Sequence, residues 1–182
     1  MAKVNFEFIA GLEGGPVLRG YVPDPDGSNS GVTIATGFDI GQRSLNDLHS
    51  MLSPELAKKL APYYGLKKRQ AVAALQRKPL RITAEQAAEI DQCVKQQLLQ
   101  QLEKRFNSAA QTSFVELPET ARTVLASVAF QYGDLSQRCP KFWGAATRAD
   151  CASMVVELQN FGDRYPTRRN KEADYLAKGL NL

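Results

Sequence analysis

Apolar residues recur at helical spacing along most of the chain, and the main exception is one stretch near the N-terminus. Val4, Phe8, Ile9 and Leu12 fall on a single stripe, which predicts a short helix over residues 4–12. Gly14, Gly15 and Pro16 stop it, so Glu13 stands at its C-terminal end. From Val17 to Ile40 the texture changes to GYVPDPDGSNSGVTIATGFDIG, where turn residues flank short β-branched runs. This predicts a small hairpin or three-stranded sheet, with Asp24, Asp26 and Asp39 near its turns.

Beyond Gly41 the pattern is helical. Ser44 caps a short helix reaching Met51, and Ser53-Pro54-Glu55 starts a segment ending near Tyr63-Tyr64-Gly65. Residues 67–77 form another. Thr83-x-x-Gln86 is a capping box and opens the longest periodic run, carried by Ala87, Ile90, Val94, Leu98, Leu102 and Phe106. Pro118 opens a helix through Leu125, Val128 and Ala129 to Tyr132, and Gly133 ends it. Two more helices are expected near residues 150–158 and 167–176. The fold class is therefore α+β: a mostly helical domain with a small N-terminal antiparallel β-sheet and a long central helix. One domain over residues 1–182 is expected, with the first helix and β lobe in 1–43 and a helical lobe in 44–182.

At 182 residues and 43% hydrophobic, the chain is long enough to bury a real core as one globular domain. No stretch approaches the ~18 apolar residues that span a bilayer, so no membrane insertion is expected. The opening MAKVNFEF lacks the features of a signal peptide, which implies synthesis in the cytoplasm without a classical export signal. The cysteines, Cys93, Cys139 and Cys151, are odd in number and form no CxxC, and His49 is the sole histidine. Reduced buried thiols are expected, with no metal and no cofactor. The net charge of +4 suits an anionic partner, either nucleic acid or a bacterial wall. The densest basic run, Lys67-Lys68-Arg69, has no interleaved aromatics, so nucleic acid is disfavoured.

The candidate chemistry is narrowed by what is missing. With one histidine and no GxSxG, P-loop, GxGxxG or HExxH, the groups left for acid–base work are carboxylates. Glycoside hydrolysis uses two of them. One donates a proton to the leaving oxygen, and the other activates water or stabilises the developing cation. The donor wants an apolar surround and the second carboxylate a polar one. Glu13, between an apolar helix and a glycine pair, fits the first role. Asp39, Asp26 and Asp24, in polar turns, fit the second, and Thr33 in the VTI strand offers a hydroxyl to orient water. Each also has a plain reading: a solvated helix-end Glu, turn-forming Asp, and a Thr chosen for β-propensity.

FIAGLEGG followed by GVTIATGFDIG resembles the catalytic region of the phage-type lysozymes, and more closely that of the pesticin-type muramidases of bacterial toxins. The resemblance implies a lysozyme-like fold and cleavage of peptidoglycan glycan strands between N-acetylmuramic acid and N-acetylglucosamine. It assigns Glu13 as general acid and Thr33 as the water-orienting residue. In the pesticin-like pattern the second carboxylate follows the Thr in a Gly-x-Asp-hydrophobic-Gly turn, matching Asp39. In the phage pattern it precedes the Thr, matching Asp26 or Asp24. The longer connection between Glu13 and Thr33, and Phe38 in place of a frequent His, favour Asp39.

A second patch lies at the other end. Asn160-Phe161-Gly162-Asp163 leading to Arg168-Arg169-x-x-Glu172 is similar to the closing helix of these lysozymes. It implies that Arg168 or Arg169 holds glycan or a peptide-stem carboxylate, against a plain reading of Arg169 and Glu172 as a solvated i,i+3 pair. Phe130-Gln131-Tyr132-Gly133 makes Gln131 and Tyr132 further substrate-binding candidates. Trp143 also comes into view as a sugar-stacking residue, with a core position as its plain reading. The enzymatic rival is a lytic transglycosylase, which needs only the Glu, and the non-enzymatic rival is a wall-binding module. A stand-alone phage endolysin or an antibacterial toxin or effector would act on peptidoglycan in the periplasm or wall of a target bacterium. It is expected to be a monomer, and a toxin would need a cognate immunity protein.

Overall fold

The structure is a computed structural model, and it describes residues 3–180. It is an α+β fold, about 65% helical, with one three-stranded antiparallel sheet among the described residues. The chain groups into two compact units, residues 1–13 with 97–182, and residues 14–96. The boundaries fall at 13/14 and 96/97.

In the first unit, α1 (Phe6–Leu12) is capped by Asn5, whose side chain accepts from the Phe8 N–H at 2.9 Å. The same unit holds α6 (Glu119–Tyr132), α7 (Leu135–Arg138), α8 (Pro140–Thr147), α9 (Cys151–Gln159) and α10 (Pro166–Leu180). Phe106, Phe114, Val124, Phe142, Met154 and Leu176 are central to a single apolar core there. Sequence pattern anticipates α6 closely: Gly133 takes a φ of +74° and ends it. The helices α7 and α8 were not anticipated. Asp134 caps the one, and Pro140 at the first helical position opens the other.

The second unit holds the sheet and a core of its own around Ile34, Phe38, Ile40, Leu56, Leu60 and Tyr63. Strands β1 (Val17–Tyr21), β2 (Thr33–Ala35) and β3 (Phe38–Asp39) lie in that order. Thr33 is the register partner of Tyr21 on one side and Asp39 on the other. The helices α2 (Leu45–Met51), α3 (Pro54–Leu60) and α4 (Lys68–Arg77) follow.

The long helix α5 (Ala84–Ala109) runs through both ranges. Its capping box forms as expected: Gln86 N–H donates to the Thr83 hydroxyl and Thr83 N–H to the Gln86 side chain, both at 3.2 Å. Its apolar stripe differs from expectation. Ala87, Ile90, Leu102 and Phe106 are buried, but Val94 and Leu98 are only partly so, and Leu99 is buried beside them. Residues four apart drift about 40° per step on a helix with 3.6 residues per turn. A run of i,i+4 steps from Ile90 to Phe106 therefore cannot keep to one face. The helix resolves this by giving Ile90 to one core and Leu99 and Leu102 to the other.

The three cysteines are free thiols; Cys139 is buried, whereas Cys93 and Cys151 are half-buried. Among the described residues no helix is long and apolar enough to cross a membrane, and no group of His, Cys, Asp and Glu could hold a metal ion.

Candidate active site

Glu13 is the C-cap residue of α1, with extended backbone angles and its N–H bonded to the Ala10 carbonyl at 3.2 Å. The helix that carries it is held by specific contacts. The Asn5 N–H donates to the Thr123 hydroxyl at 3.0 Å and its side chain to the Tyr175 hydroxyl at 3.2 Å. Phe8 stacks on Tyr175 with ring centroids 4.0 Å apart, and Ile9 is fully buried. A seven-residue helix has little stability of its own, so these contacts with α6 and α10 fix where Glu13 stands.

In the other unit, Thr33 and Asp39 are direct cross-strand neighbours, which puts both side chains on one face of the sheet. Both lean on the same residue. The Asp39 carboxylate accepts from the Gly31 N–H at 3.0 Å and from the Gly41 N–H at 2.9 Å. The Thr33 hydroxyl donates to the Gly31 carbonyl at 3.3 Å, leaving its lone pairs as acceptors. Thr33 is 4% exposed and Asp39 half-buried. The second Asp39 oxygen has only long contacts, with Gly31 N–H at 3.3 Å and Gln42 Nε2 at 3.5 Å, so it retains room to accept from water.

Two glycines make this arrangement possible. A Cβ on Gly31 would lie 2.3 Å from the Leu66 carbonyl oxygen and 2.5 Å from the Gly41 Cα; one on Gly41 would meet the same oxygen at 2.4 Å. The backbones of the two donors pack against each other with no space for a side chain. The turn between β2 and β3 is tied to α5, since the Thr36 hydroxyl and N–H donate to Asp91 at 2.7 and 3.1 Å.

Asp24 and Asp26 are exposed and engaged elsewhere. Asp24 has a φ of +39° and accepts from the Gly27 N–H at 2.9 Å, a turn-forming bond. Asp26 pairs with Arg69 at 2.7 Å. Neither is a register partner of Thr33.

The candidates in the C-terminal patch form a buried polar network. Arg169 is 1% exposed and Glu172 fully buried, so their i,i+3 pair is not solvated. The Arg169 guanidinium donates to Glu172, to Asp163 at 2.9 Å and to the Gln131 side chain, and lies over the rings of Phe161 and Tyr132. Tyr132 donates its hydroxyl to Asp163 at 2.6 Å. Arg168 donates to Glu172 at 3.1 Å and to the Ser127 carbonyl and hydroxyl. Burial works against the charge on Arg169, but Glu172 and Asp163 outweigh it and its pKa is raised. Burial, reinforced by the hydrogen bond to Asp163, pushes Tyr132 up to about 12. Gln131, Tyr132 and Arg169 thus have protein partners for their polar groups, while Arg168 also borders a solvent-facing hollow beside α1. Trp143 packs edge-on against Phe106, its ring centroid 5.8 Å away.

Sequence reasoning did not single out Asp163, Ser127 or Gly31. For Ser127 there was a local signal: it is a hydroxyl inside the apolar run Val124 to Phe130. Gly31 had none, because its role depends on Leu66 and Gly41 meeting it in space.

Residues 3–152, that is 150 of 182, match the pesticin family model, described as the C-terminal bacterial toxin homologue of phage lysozyme. The chain belongs to the pesticin family. The match includes Glu13, Thr33 and Asp39, while α10, with Arg168, Arg169 and Glu172, lies beyond it. A search of curated proteins gave no match.

Proposed function

We propose that this pesticin-family chain is a muramidase, a glycoside hydrolase that cleaves the β-1,4 bond between N-acetylmuramic acid and N-acetylglucosamine in peptidoglycan. The observation that carries the proposal is the Thr33–Asp39 pair, held on one face of the sheet with both side chains fixed to Gly31. A cross-strand carboxylate and hydroxyl of this kind are what a hydrolase needs to hold water at an anomeric carbon. In this mechanism Glu13 protonates the glycosidic oxygen. The C–O bond breaks toward an oxocarbenium-like state, which the Asp39 carboxylate stabilises. Water held by Asp39 and Thr33 then adds to the anomeric carbon and gives its proton to the Asp39 carboxylate. Arg169, Gln131 and Tyr132 are assigned a positioning role: they brace α10, which in turn holds α1 through Tyr175. Residues 1–182 act as one monomeric catalytic domain that lyses a target wall, as a toxin, effector or endolysin.

The test is release of soluble muropeptides from isolated peptidoglycan by wild type, Glu13→Gln, Asp39→Asn and Asp26→Asn, with mass spectrometry of the products. Reducing muramic ends from wild type are expected. Losses on the order of 10²-fold or more are expected for Glu13→Gln and Asp39→Asn, with little change for Asp26→Asn. Anhydro-muramic ends would identify a transglycosylase, which has no need of a water-holding pair. Full activity in Glu13→Gln would sink the catalytic proposal and leave a wall-binding module.

A further inference from the structure

The outward oxygen of Asp39 has one side-chain donor within reach among the described residues, and it comes from Gln42, an exposed residue with no part in the bond-breaking steps. Gln42 closes the short turn of 3-10 helix after β3 (Ile40–Gln42), three residues past Asp39. Its side-chain nitrogen donates to the Asn29 carbonyl at 2.8 Å and reaches the Asp39 carboxylate at 3.5 Å. Both neighbours are acceptors only, so the carboxamide sets its nitrogen toward them and its oxygen away. The opposite orientation would place oxygen against a carbonyl and a carboxylate. Among the described residues, Gln42 Oε1 has no hydrogen-bond donor. A carboxamide is narrow, with C=O about 1.23 Å and C–N about 1.33 Å, so this oxygen stands within about 6 Å of the Asp39 carboxylate. An acceptor of fixed orientation therefore lies beside the carboxylate.

We infer that Gln42 is a specificity-determining residue, whose Oε1 accepts the N–H of the 2-acetamido group on the sugar that the water attacks. The inference rests on Asp39 delivering that water. The acetamido nitrogen sits on C2, two bonds from the anomeric carbon. A carboxylate holding water at the one atom and an acceptor a few ångströms away match that spacing. The other groups on this face are committed: Asp39 to two backbone N–H groups and the water, and the Thr33 hydroxyl to Gly31 and the same water. As positive charge develops at the anomeric carbon, the N–H on C2 becomes a stronger donor. Its hydrogen bond then tightens in the transition state, as bonds to the 2-substituent do in glycoside hydrolysis. The gain falls on kcat more than on KM. A carboxamide suits the position better than a carboxylate, because its nitrogen ties it to Asn29, whereas a second negative charge would stand against Asp39.

The experiment assays the full chain on two synthetic oligosaccharides of alternating N-acetylglucosamine and N-acetylmuramic acid. One carries the natural acetamido group on its muramic units. In the other an acetoxy ester replaces it, which removes the N–H at nearly constant shape. The ester's electronic effect on bond breaking is common to every form of the enzyme, so the readout is how the acetamido-to-acetoxy ratio of kcat/KM changes between forms. Gln42→Met removes both donor and acceptor, whereas Gln42→Lys keeps a donor for Asn29 and Asp39 but has no acceptor. Each is expected to lower the ratio about tenfold, and in Gln42→Met the fall should come from kcat on the acetamido substrate. A ratio unchanged from wild type in either variant would overturn the assignment. In particular, if both substrates slow equally in Gln42→Met and recover in Gln42→Lys, Gln42 is only a brace for the Asn29 backbone. Cleavage of neither substrate by wild type would sink the hydrolase reading, and this inference with it. Cleavage by wild type with an unchanged ratio in the variants sinks the inference alone.

Discussion

Replacing Arg169 by methionine is expected to destabilise its unit by about 3 kcal/mol. Arg169 is 1% exposed and its partner Glu172 fully buried, so solvent screens little of their interaction. Removing one partner of a buried ion pair costs about 3–5 kcal/mol, chiefly because the other charge stays buried. The lower end applies here. Glu172 keeps Arg168 and Ser127 as donors, and Asp163 keeps the Tyr132 hydroxyl and the Tyr165 N–H. Methionine also refills part of the space between the Tyr132 and Phe161 rings. Urea unfolding followed by tryptophan fluorescence measures the loss, because Trp143 is the sole tryptophan and packs on Phe106 in the same unit. With a urea dependence of about 2 kcal/mol/M, the midpoint falls by about 1.5 M. If the stranded Glu172 charge is the cause, Arg169→Met with Glu172→Met costs less than the sum of the two single changes by about 1 kcal/mol or more. A loss under about 1 kcal/mol for Arg169→Met, or strict additivity in the double, would refute the reasoning.

Gly31→Ala places a methyl group against the backbone of Leu66 and Gly41, and loses about 1–3 kcal/mol. It also displaces the N–H that holds Asp39, so muropeptide release should fall more steeply than stability. Gly15→Ala, with nothing within 4 Å, should unfold within about 0.5 kcal/mol of wild type. The network also predicts a pH profile. Burial opposes ionisation of Asp163, but hydrogen bonds from Tyr132 and Arg169 prevail and its pKa is lowered. Its contribution is therefore complete above the ordinary aspartate value and is lost as pH falls through the lowered one, below about pH 4. Tyr132 shifts the other way, so its contribution is complete below its ordinary value of 10 and is lost as pH rises toward about 12. Unfolding midpoints measured across pH should flatten at the acid end in Asp163→Asn, while the alkaline fall, which burial of Tyr132 sets first, should persist in weaker form; an acid limb parallel to wild type would contradict this.

What was legible in the sequence is what depends on near neighbours in the chain. The capping box at Thr83 and Gln86, the stop at Gly133 and the end of α1 at Glu13 are set within a few residues, and they form where the pattern places them. The strand pairing that sets Thr33 against Asp39 was half legible. The turn residues and the β-branched runs between them were visible, but the register that makes the two direct neighbours was not. The burial of Arg169 was not legible, because an Arg and a Glu three residues apart look the same on a solvated helix and on a buried one. What distinguishes them is Asp163, Gln131 and Ser127, which come from other elements.

Gly31 shows why the candidate site in particular resists a purely local reading. Its carbonyl takes the Thr33 hydroxyl and its N–H feeds the Asp39 carboxylate, so one residue orients both side chains. It can do so only because Gly41 and the Leu66 carbonyl approach too closely for any Cβ. Sequence places the functional groups two and eight residues downstream of a glycine that reads as an ordinary strand boundary. Three backbones meeting in space turn that boundary into the fixed point of the pair. The geometry of Thr33 and Asp39 should therefore be more sensitive to a methyl group on Gly31 or Gly41 than to changes at exposed residues of the same loop, such as Asn29.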